Sequence, residues 1–310
     1  MTYRPCPVRP GMADPSESRT VKDPTTYFYR PVVLFFGAVS AVVTLYVLWL
    51  TLHNISLLRP GQEKFIGVDN YLRLVFDSRA LNALGRTALF TVAATIVEVI
   101  LGLLISLLMD REFFGKKIAR AILLVPIVMT PIVVGLTWRF LLDPSSGMMN
   151  YLLSRVGIGP VDWLGNPNVA LFSLLLADVW QWTPFVVLLT MASLEALPGD
   201  PQNAARVDGA REWQVLWYIT LPALKRALMV VALIRAIDSV KAFDIFYIMT
   251  RGGPALSTET LNLYGYISAF TNFDISYSLT IAMVLTIFTN VALLLLYNLA
   301  FKAPAKGEAS

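Results

Sequence analysis

Long apolar runs alternate with short polar connections along most of the chain. A helix needs roughly 20 apolar residues to cross a bilayer core of about 30 Å. Six runs reach or approach that length, and they lie near 31–52, 87–109, 119–141, 169–193, 227–249 and 277–301. The pattern predicts an all-α polytopic membrane protein with six transmembrane helices. They would form one domain over 31–301, with polar tails at 1–30 and 302–310.

The fifth run is the least apolar because it carries four ionisable residues: Arg235, Asp238, Lys241 and Asp244. Its assignment as a span rests partly on an even number of spans, which places both tails on one side of the membrane. The spacing of three residues would let these charges pair along one helix. Ionisable groups within spans also commonly line water-filled cavities. The two interpretations are compatible, and both stay open.

Basic residues in the connections predict the orientation, since short cytoplasmic connections are enriched in Lys and Arg. They are frequent in both tails and in the connections after the second and fourth spans. The connections after the third and fifth spans each hold one, Arg155 and Arg251, although the first connection (54–86) holds five. We therefore predict that both termini and the 194–226 connection are cytoplasmic.

Composition supports a membrane protein and argues against several other classes. Hydrophobic residues make up 56% of the chain, charged residues 15%, and the mean hydropathy is +0.63. The net charge of +4 forms no basic stripe, so no nucleic-acid partner is expected. A single cysteine, Cys6, and a single histidine, His53, leave little material for a metal site or a catalytic triad, which disfavours an intramembrane enzyme.

A source of energy is also missing from the sequence. A phosphate-binding loop requires Gly-x-x-x-x-Gly-Lys-Ser/Thr. The nearest fragment, Gly115-Lys116-Lys117-Ile118, lacks the earlier glycine and the hydroxyl residue. We expect no cofactor in this chain, and any ATP would be bound and hydrolysed by a separate subunit.

The 194–226 connection is far longer than a turn between helices needs to be. Asp200 is a suitable N-cap and Pro201 suits the first helical position, so a short helix should start there. Gly209 can adopt a left-handed conformation and end that helix. A second amphipathic helix should follow and stop at Pro222. Together they predict a rigid helical knob.

The sequence of this knob resembles the cytoplasmic loop of permease subunits of binding-protein-dependent ABC importers. It reads Asn203-Ala204-Ala205-Arg206-Val207-Asp208-Gly209-Ala210 and ends in Ile219-Thr220-Leu221-Pro222. In that family the loop inserts into a cleft of the ATPase, and the permease has the type I importer fold. Asn203 stands where the family usually has glutamate, which removes a charge from the expected docking surface.

A second motif resembles the maltose-type and glycerol-phosphate-type branch of the same family, which imports sugars, polyols and related solutes. It reads Phe243-Asp244-Ile245-Phe246-Tyr247-Ile248-Met249-Thr250-Arg251-Gly252-Gly253-Pro254. The resemblance implies the following partners: a second permease subunit, two cytoplasmic ATP-binding subunits and an extracytoplasmic solute-binding protein. It leaves the solute undetermined among sugars, disaccharides, polyols and glycerol-phosphate derivatives.

Three sets of residues are the candidate sites. The resemblance implies ATPase docking by Asn203, Ala204, Ala205, Asp208, Gly209, Ala210, Leu221 and Pro222. The predicted orientation places Gly252, Gly253 and Pro254 on the outer face, where they could present a loop to the binding protein, although ordinary turn chemistry is the slightly better explanation for any single one of them. Aromatic and hydrogen-bonding groups suited to sugar hydroxyls predict a substrate path at Asp178, Trp180, Gln181, Trp182, Thr183, Asp238 and Ser239.

Two further expectations concern intramembrane acids. Glu98 in the second span is expected to be a hydrogen-bond partner between helices and not a ligand. An ion-coupled secondary transporter is the alternative function, and it would use acids such as Asp178 or Asp238 as coupling sites. The primary prediction is the permease subunit of an ATP-driven importer of a sugar, polyol or related carbohydrate in the inner membrane.

Overall fold

The computed structural model describes residues 25–58, 61, 63–111 and 113–301, so most of the predicted tails at 1–30 and 302–310 lies outside the described residues. The described part is mostly helical, and its two strands, β1 (His53–Asn54) and β2 (Lys64–Phe65), form an antiparallel pair. The helices are α1 (Thr25–Thr51), α2 (Asp69–Phe76), α3 (Ser78–Asp110), α4 (Lys116–Val128), α5 (Pro131–Leu141), α6 (Met148–Arg155), α7 (Ala170–Glu195), α8 (Asp200–Val207), α9 (Glu212–Val215), α10 (Leu221–Val240), α11 (Asp244–Met249), α12 (Leu261–Phe270) and α13 (Ile275–Phe301). The all-α class is confirmed.

The chain divides into a unit that ends at Trp49 and a unit that begins at Leu50. The first unit contains most of α1, which is apolar and long enough to cross a membrane. In the described part of the chain, α3, α7, α13 and the continuous helix Glu212–Val240 also meet that criterion, which makes five candidate spans with α1. A sixth exists if the bent pair α4–α5 crosses as one.

The third predicted span, 119–141, is not one straight helix. α4 and α5 meet at an angle of 100° across Met129 and Thr130. Pro131 explains the break, because a proline disfavours helical geometry in the residue before it. Thr130 is accordingly extended, with φ −68° and ψ 144°. Hydropathy detects the apolar stretch but not the bend within it.

The fifth predicted span, 227–249, is displaced, and the predicted stop at Pro222 is wrong. The helix begins at Glu212, passes through a π-helical turn at Leu216–Thr220 and continues as α10. The Leu221 amide bonds to the Leu216 carbonyl, five residues back. This wider turn lets the helix accommodate Pro222, which has no amide proton and would otherwise clash with the preceding turn.

At its other end the fifth helix stops at Val240, so α11 is a separate element. Lys241 and Asp244 therefore do not share a helix with Arg235, and the predicted pairing of all four charges along one helix is wrong. Within α10, Arg235 and Asp238 are 4.0 Å apart, and the closer acidic partners of Arg235 come from other helices.

α3 is the central helix of the second unit, and it packs against α7, α10 and α12. Gly102 of α3 lies directly against Val186 of α7: a Cβ atom added at Gly102 would be 2.4 Å from the Val186 Cγ1. The contact between these two helices therefore requires glycine. Near the other end of α3, Phe90 packs edge-to-face on Phe246 of α11, with ring centroids 4.7 Å apart.

Three charged side chains join α3, α7 and α10, and we call Glu98, Asp178 and Arg235 the charge cluster. The Arg235 Nε donates to the Glu98 Oε2 at 2.5 Å, and its Nη2 donates to the Glu98 Oε1 at 2.8 Å. The same Nη2 lies 3.3 Å from the Asp178 Oδ2. Glu98 is fully buried and Arg235 is 1% exposed. The expectation that Glu98 bonds between helices is confirmed.

Gly102→Ala is predicted to destabilise the protein by about 1–3 kcal/mol, because the added methyl group overpacks the α3–α7 contact. The midpoint of thermal unfolding in detergent measures this. Gly85→Ala is the matched control, since Gly85 lies in the same helix with no atom near the position of its Cβ. Val186→Ala should cost less in the Gly102→Ala background than alone. Equal effects of the two glycine substitutions would contradict the close contact.

Glu98→Leu is predicted to cost about 3–5 kcal/mol of unfolding free energy, because it leaves the buried Arg235 guanidinium without its main partner. Glu195→Leu is the control: Glu195 pairs with Arg120 at 3.8 Å, but the side chains of Glu195 and Arg120 are 66% and 42% exposed, so the loss should be about 0–1 kcal/mol. The double variant Glu98→Leu/Arg235→Met should be more stable than Glu98→Leu alone. Similar losses for Glu98→Leu and Glu195→Leu would refute this account.

Candidate functional site

A polar cavity of about 240 Å³ lies beside the charge cluster, between α7, α10, α11 and the start of α5. Five of the predicted substrate-path residues line it: Asp178, Gln181, Trp182, Asp238 and Ser239. They come together because α7 and α10 pack side by side and turn their polar faces towards each other. The remaining wall consists of Pro131, Arg235, Ala242, Phe243, Asp244 and Ile245.

The cavity combines an aromatic wall with hydrogen-bonding groups. The Arg235 guanidinium carbon lies 4.8 Å from the centroid of the Trp182 ring, a cation–π contact. The Gln181 Nε2 donates to the Met129 carbonyl at 3.2 Å, which fixes the amide at the α4–α5 bend. Such a wall can stack on a sugar ring while carboxylates and hydroxyls accept its hydrogen bonds.

Two predicted substrate-path residues do not line this cavity. Trp180 lies on another face of α7, where it packs edge-to-face on Trp138 of α5 with ring centroids 6.0 Å apart. Thr183 is buried, and its hydroxyl has no hydrogen-bond partner among the residues that the structure describes. The prediction omitted Phe243 and Asp244, which reach the cavity because α10 ends before them. The motif that contains both residues is evident in the sequence, but the sequence did not predict that α10 would end before them.

The predicted docking surface, residues 200–222, begins with α8 and is called the docking segment below. α8 starts at Asp200 and buries none of its residues. Gly209 has a φ of +85°, and the Ala210 amide bonds to the Ala205 carbonyl at 2.9 Å. This is the left-handed turn that was expected to end the first helix. Asn203, Ala204, Asp208, Gly209 and Pro222 are exposed, and Ala205, Ala210 and Leu221 are half-buried.

An ion pair spans the Gly209 turn and links α8 to α9. The Arg206 Nε donates to the Glu212 Oε1 at 2.9 Å, and its Nη2 donates to the Glu212 Oε2 at 3.2 Å. The hydrogen bond to Glu212 and the charge of that carboxylate raise the pKa of Arg206. Arg206 also donates to the Asn203 Oδ1 at 3.2 Å. Asn203, which stands where the family usually has glutamate, thus stabilises the loop by a hydrogen bond within it.

Large apolar side chains on and beside the docking segment are exposed to an unusual degree. Val207 is 87% exposed, and Trp213, Trp217 and Tyr218 are each more than half exposed. A polar loop that leaves such side chains uncovered is typical of a surface that contacts a partner or the membrane interface.

The Gly252-Gly253-Pro254 motif forms a tight and partly buried turn. Gly252 is buried with a φ of +86°, and a Cβ atom there would lie 3.3 Å from the Glu259 Cβ. The Thr258 hydroxyl donates to the Gly253 carbonyl at 2.7 Å. The exposed side chains of this loop belong to its neighbours Arg251, Ala255 and Leu256.

The loop after this turn is anchored to the start of α3. Glu259, 1% exposed, accepts two hydrogen bonds from Arg79, at 2.7 and 2.8 Å. Next to this pair, Asp77 caps α3 and accepts from the Tyr264 hydroxyl at 2.6 Å. Partial burial opposes ionisation of Asp77, but hydrogen bonds from Tyr264, Tyr277 and the backbone lower its pKa overall. The sequence did not predict the Arg79–Glu259 pair, because the two residues are far apart in the chain.

In the described part of the chain, no group of three or more His, Cys, Asp and Glu side chains is arranged as a metal site.

Comparison with known proteins identifies relatives along most of the chain. The chain is 38% identical over 263 residues to a probable ABC transporter permease protein, y4oQ, of Sinorhizobium fredii, which covers 84% of this chain and 85% of the relative. It is 37% identical over 218 residues to the trehalose/maltose transport system permease protein MalF of Thermococcus litoralis, which covers 70% of this chain and 74% of the relative.

The fold is also found in a solved structure of a bacterial alginate ABC transporter in complex with an alginate pentasaccharide-bound periplasmic protein. The TM-score is 0.78 with 17% sequence identity, and the alignment covers 91% of this chain and 96% of that chain. Residues 98–303 match the family described as binding-protein-dependent transport system inner membrane component. The chain belongs to this family and is a multi-pass inner-membrane permease component of an ABC importer, whose ATPase is a separate subunit.

Proposed function

We propose that this permease imports a carbohydrate and that the docking segment receives motion from the ATPase. The carbohydrate class is supported by the trehalose/maltose permease among its relatives. It is supported independently by the polar cavity, where the Trp182 ring lies close to several hydrogen-bond acceptors. Aromatic faces beside acceptors suit sugar rings, which present apolar faces and hydroxyl edges.

One observation carries the proposal: a single helix connects the docking segment to the cavity. Glu212–Val240 is continuous, and it holds the exposed Trp213 near one end and the buried Arg235 near the other. At 1.5 Å per residue, about 33 Å separate these two residues along the axis. A displacement of α8 and α9 would therefore move Arg235, and with it the wall of the cavity.

The docking segment is proposed to insert into an ATP-binding subunit. Its small exposed residues, Ala204 and Gly209, permit close approach, and the Arg206–Glu212 ion pair links α8 to α9. Exposed Val207 and Trp213 supply apolar surface that a partner could cover. We propose that the complete importer contains a second permease subunit and two ATP-binding subunits.

The loop around Gly252-Gly253-Pro254 is proposed to face the solute-binding protein. The turn itself is a support, since Gly252 is buried, and the contact surface would be formed by Arg251, Ala255 and Leu256. This assignment places the docking segment and both termini in the cytoplasm. It agrees with the excess of basic residues near the docking segment.

The ion-coupled alternative would require a free intramembrane acid. Asp178 does not offer one in this arrangement, because it lies 3.3 Å from the Arg235 guanidinium. Asp238 is 46% exposed in its side chain and faces the cavity, where contact with a solute explains its position equally well. The membership in an ABC importer family favours the ATP-driven mechanism.

Uptake in proteoliposomes tests the proposed function. The chain, reconstituted with its partner permease, ATP-binding subunits and binding protein, should accumulate radiolabelled trehalose or maltose only when ATP is present on the ATPase side. An imposed proton or sodium gradient without ATP should give no accumulation. Gradient-driven uptake without ATP would overturn the ATP-driven mechanism, and ATP-driven uptake of amino acids but not sugars would overturn the carbohydrate class.

Gly209→Asp is predicted to uncouple ATP hydrolysis from uptake while the complex stays assembled in the membrane. The side chain would meet no atom within 4 Å, and the docking surface would gain bulk and charge; the strain of a side chain at a φ of +85° is matched by the control below. We expect uptake to fall at least about tenfold, corresponding to a loss of about 1.4 kcal/mol in coupling. Uptake and ATPase activity of the same proteoliposomes measure the two effects separately.

Gly157→Asp is the matched control, because Gly157 has a similar φ of +79° and equally open surroundings but lies outside the docking segment. It should leave uptake unchanged. Normal uptake by Gly209→Asp, or an equal loss in both variants, would exclude the docking assignment.

A further inference from the structure

We infer that the polar cavity selects solutes by charge: it admits neutral, hydroxyl-rich or cationic solutes and repels anions, with Asp238 and Asp244 as the specificity-determining residues. This inference rests on the proposed function, since it concerns the cavity assigned there to the solute. It narrows the solute classes that the sequence left open.

The charges that line the cavity are unequal in number. Asp178, Asp238 and Asp244 contribute three carboxylates. In the lining provided by the described residues, Arg235 is the only cation. Lys241, the nearest basic residue in the sequence, is exposed and does not belong to the lining.

Most of the hydrogen-bonding capacity of Arg235 is already used inside the charge cluster. Its Nε and Nη2 atoms are occupied by the two Glu98 oxygens at 2.5 and 2.8 Å, and Nη2 also lies near Asp178. Its Nη1 is 4.0 Å from the Asp238 carboxylate. A phosphate or carboxylate solute could therefore approach only Nη1, where the neighbouring Asp238 carboxylate would repel it.

The other lining groups favour hydrogen-bond donors. Asp238 is 46% exposed, so its carboxylate can accept hydrogen bonds from a solute in the cavity. Ser239 and the Gln181 carbonyl oxygen add neutral acceptors, because the Gln181 amide nitrogen already bonds to Met129. Sugar hydroxyls satisfy such acceptors, whereas anionic oxygens meet carboxylates and are repelled.

Asp238 and Asp244 are expected to determine this selectivity, whereas Asp178 is not. Asp178 is 3% exposed and interacts with the Arg235 guanidinium, so part of its charge is offset inside the wall. Asp238 and Asp244 lie on either side of the break between α10 and α11, where both remain accessible from the cavity. The related fold of the importer of alginate, an acidic polysaccharide, shows that the fold itself does not impose this preference.

Charged thiol reagents measure the selectivity directly, without any requirement for transport or ATP. Ala242→Cys places a thiol in the lining of the assembled importer, in a background where the single cysteine is removed by Cys6→Ser. Methanethiosulfonate reagents that carry a trimethylammonium, a sulfonate or an uncharged group are compared. Each rate is divided by the rate with free 2-mercaptoethanol.

The trimethylammonium reagent should react about tenfold faster than the sulfonate reagent after this correction. Asp238→Asn/Asp244→Asn should reduce the ratio to about twofold or less. Asp69→Asn is the control, since this exposed acid does not line the cavity and its loss should leave the ratio unchanged.

Three results would overturn the inference: equal or faster reaction with the sulfonate reagent, a ratio unaffected by Asp238→Asn/Asp244→Asn, or no reaction with the uncharged reagent. The last would show that solutes have no access to the cavity. Because labelling needs no ATP, these results are independent of whether sugar uptake is ATP-driven. A failure of the uptake experiment with a normal labelling ratio would count against the proposed function alone.

Discussion

The structure depends above all on the burial of one guanidinium. Arg235 lies in a helix long and apolar enough to cross a membrane, with 1% of its surface exposed, and an unpaired charge there would be very costly. Glu98 on α3 and Asp178 on α7 pair with it, so the three helices can pack only in rotations that bring these side chains together. The same rotations leave Trp182 and Asp238 on the neighbouring surface. The polar cavity is therefore a consequence of how the charge is neutralised.

A second constraint makes this cluster useful for transport. Proline ordinarily ends or kinks a helix, yet the π-helical turn at Leu216–Thr220 carries the helix through Pro222. A displacement of α9 would therefore also displace the buried Arg235, because both belong to the same continuous helix. A helix that stopped at Pro222 would have left the docking segment connected to the cavity only through a flexible junction.

Much of this fold could be predicted from hydropathy, because a bilayer imposes a length on every helix that crosses it. The left-handed turn at Gly209 could also be predicted, since glycine readily adopts that conformation. The bend before Pro131 and the continuation of the helix through Pro222 could not be predicted. A proline can either break a helix or be accommodated within it, and the conformation of the neighbouring turns decides which occurs. The partner of Arg235 was equally hidden: Glu98 lies 137 residues away, and sequence spacing suggested only neighbours on the same helix. Local chemistry was therefore predictable, while contacts between distant segments were not.

The breaks that hydropathy missed also show where the cavity can change shape. Pro131 begins α5 after one break, residues 242 and 243 lie in the other, and residues 244 and 245 begin α11. All of them line the cavity. α5 and α11 are closely packed on each other: a Cβ atom at Gly135 would lie 3.1 Å from the Ile248 Cγ2, and Arg139 donates to the Ile248 carbonyl. On the opposite side, α3, α7 and α10 are held by the Gly102–Val186 contact and the charge cluster. A relative movement of these two groups at the breaks would open or close the cavity while Arg235 keeps its partners. Such movement would leave the ion pairs of Arg235 intact, and these are the interactions that would be most costly to break.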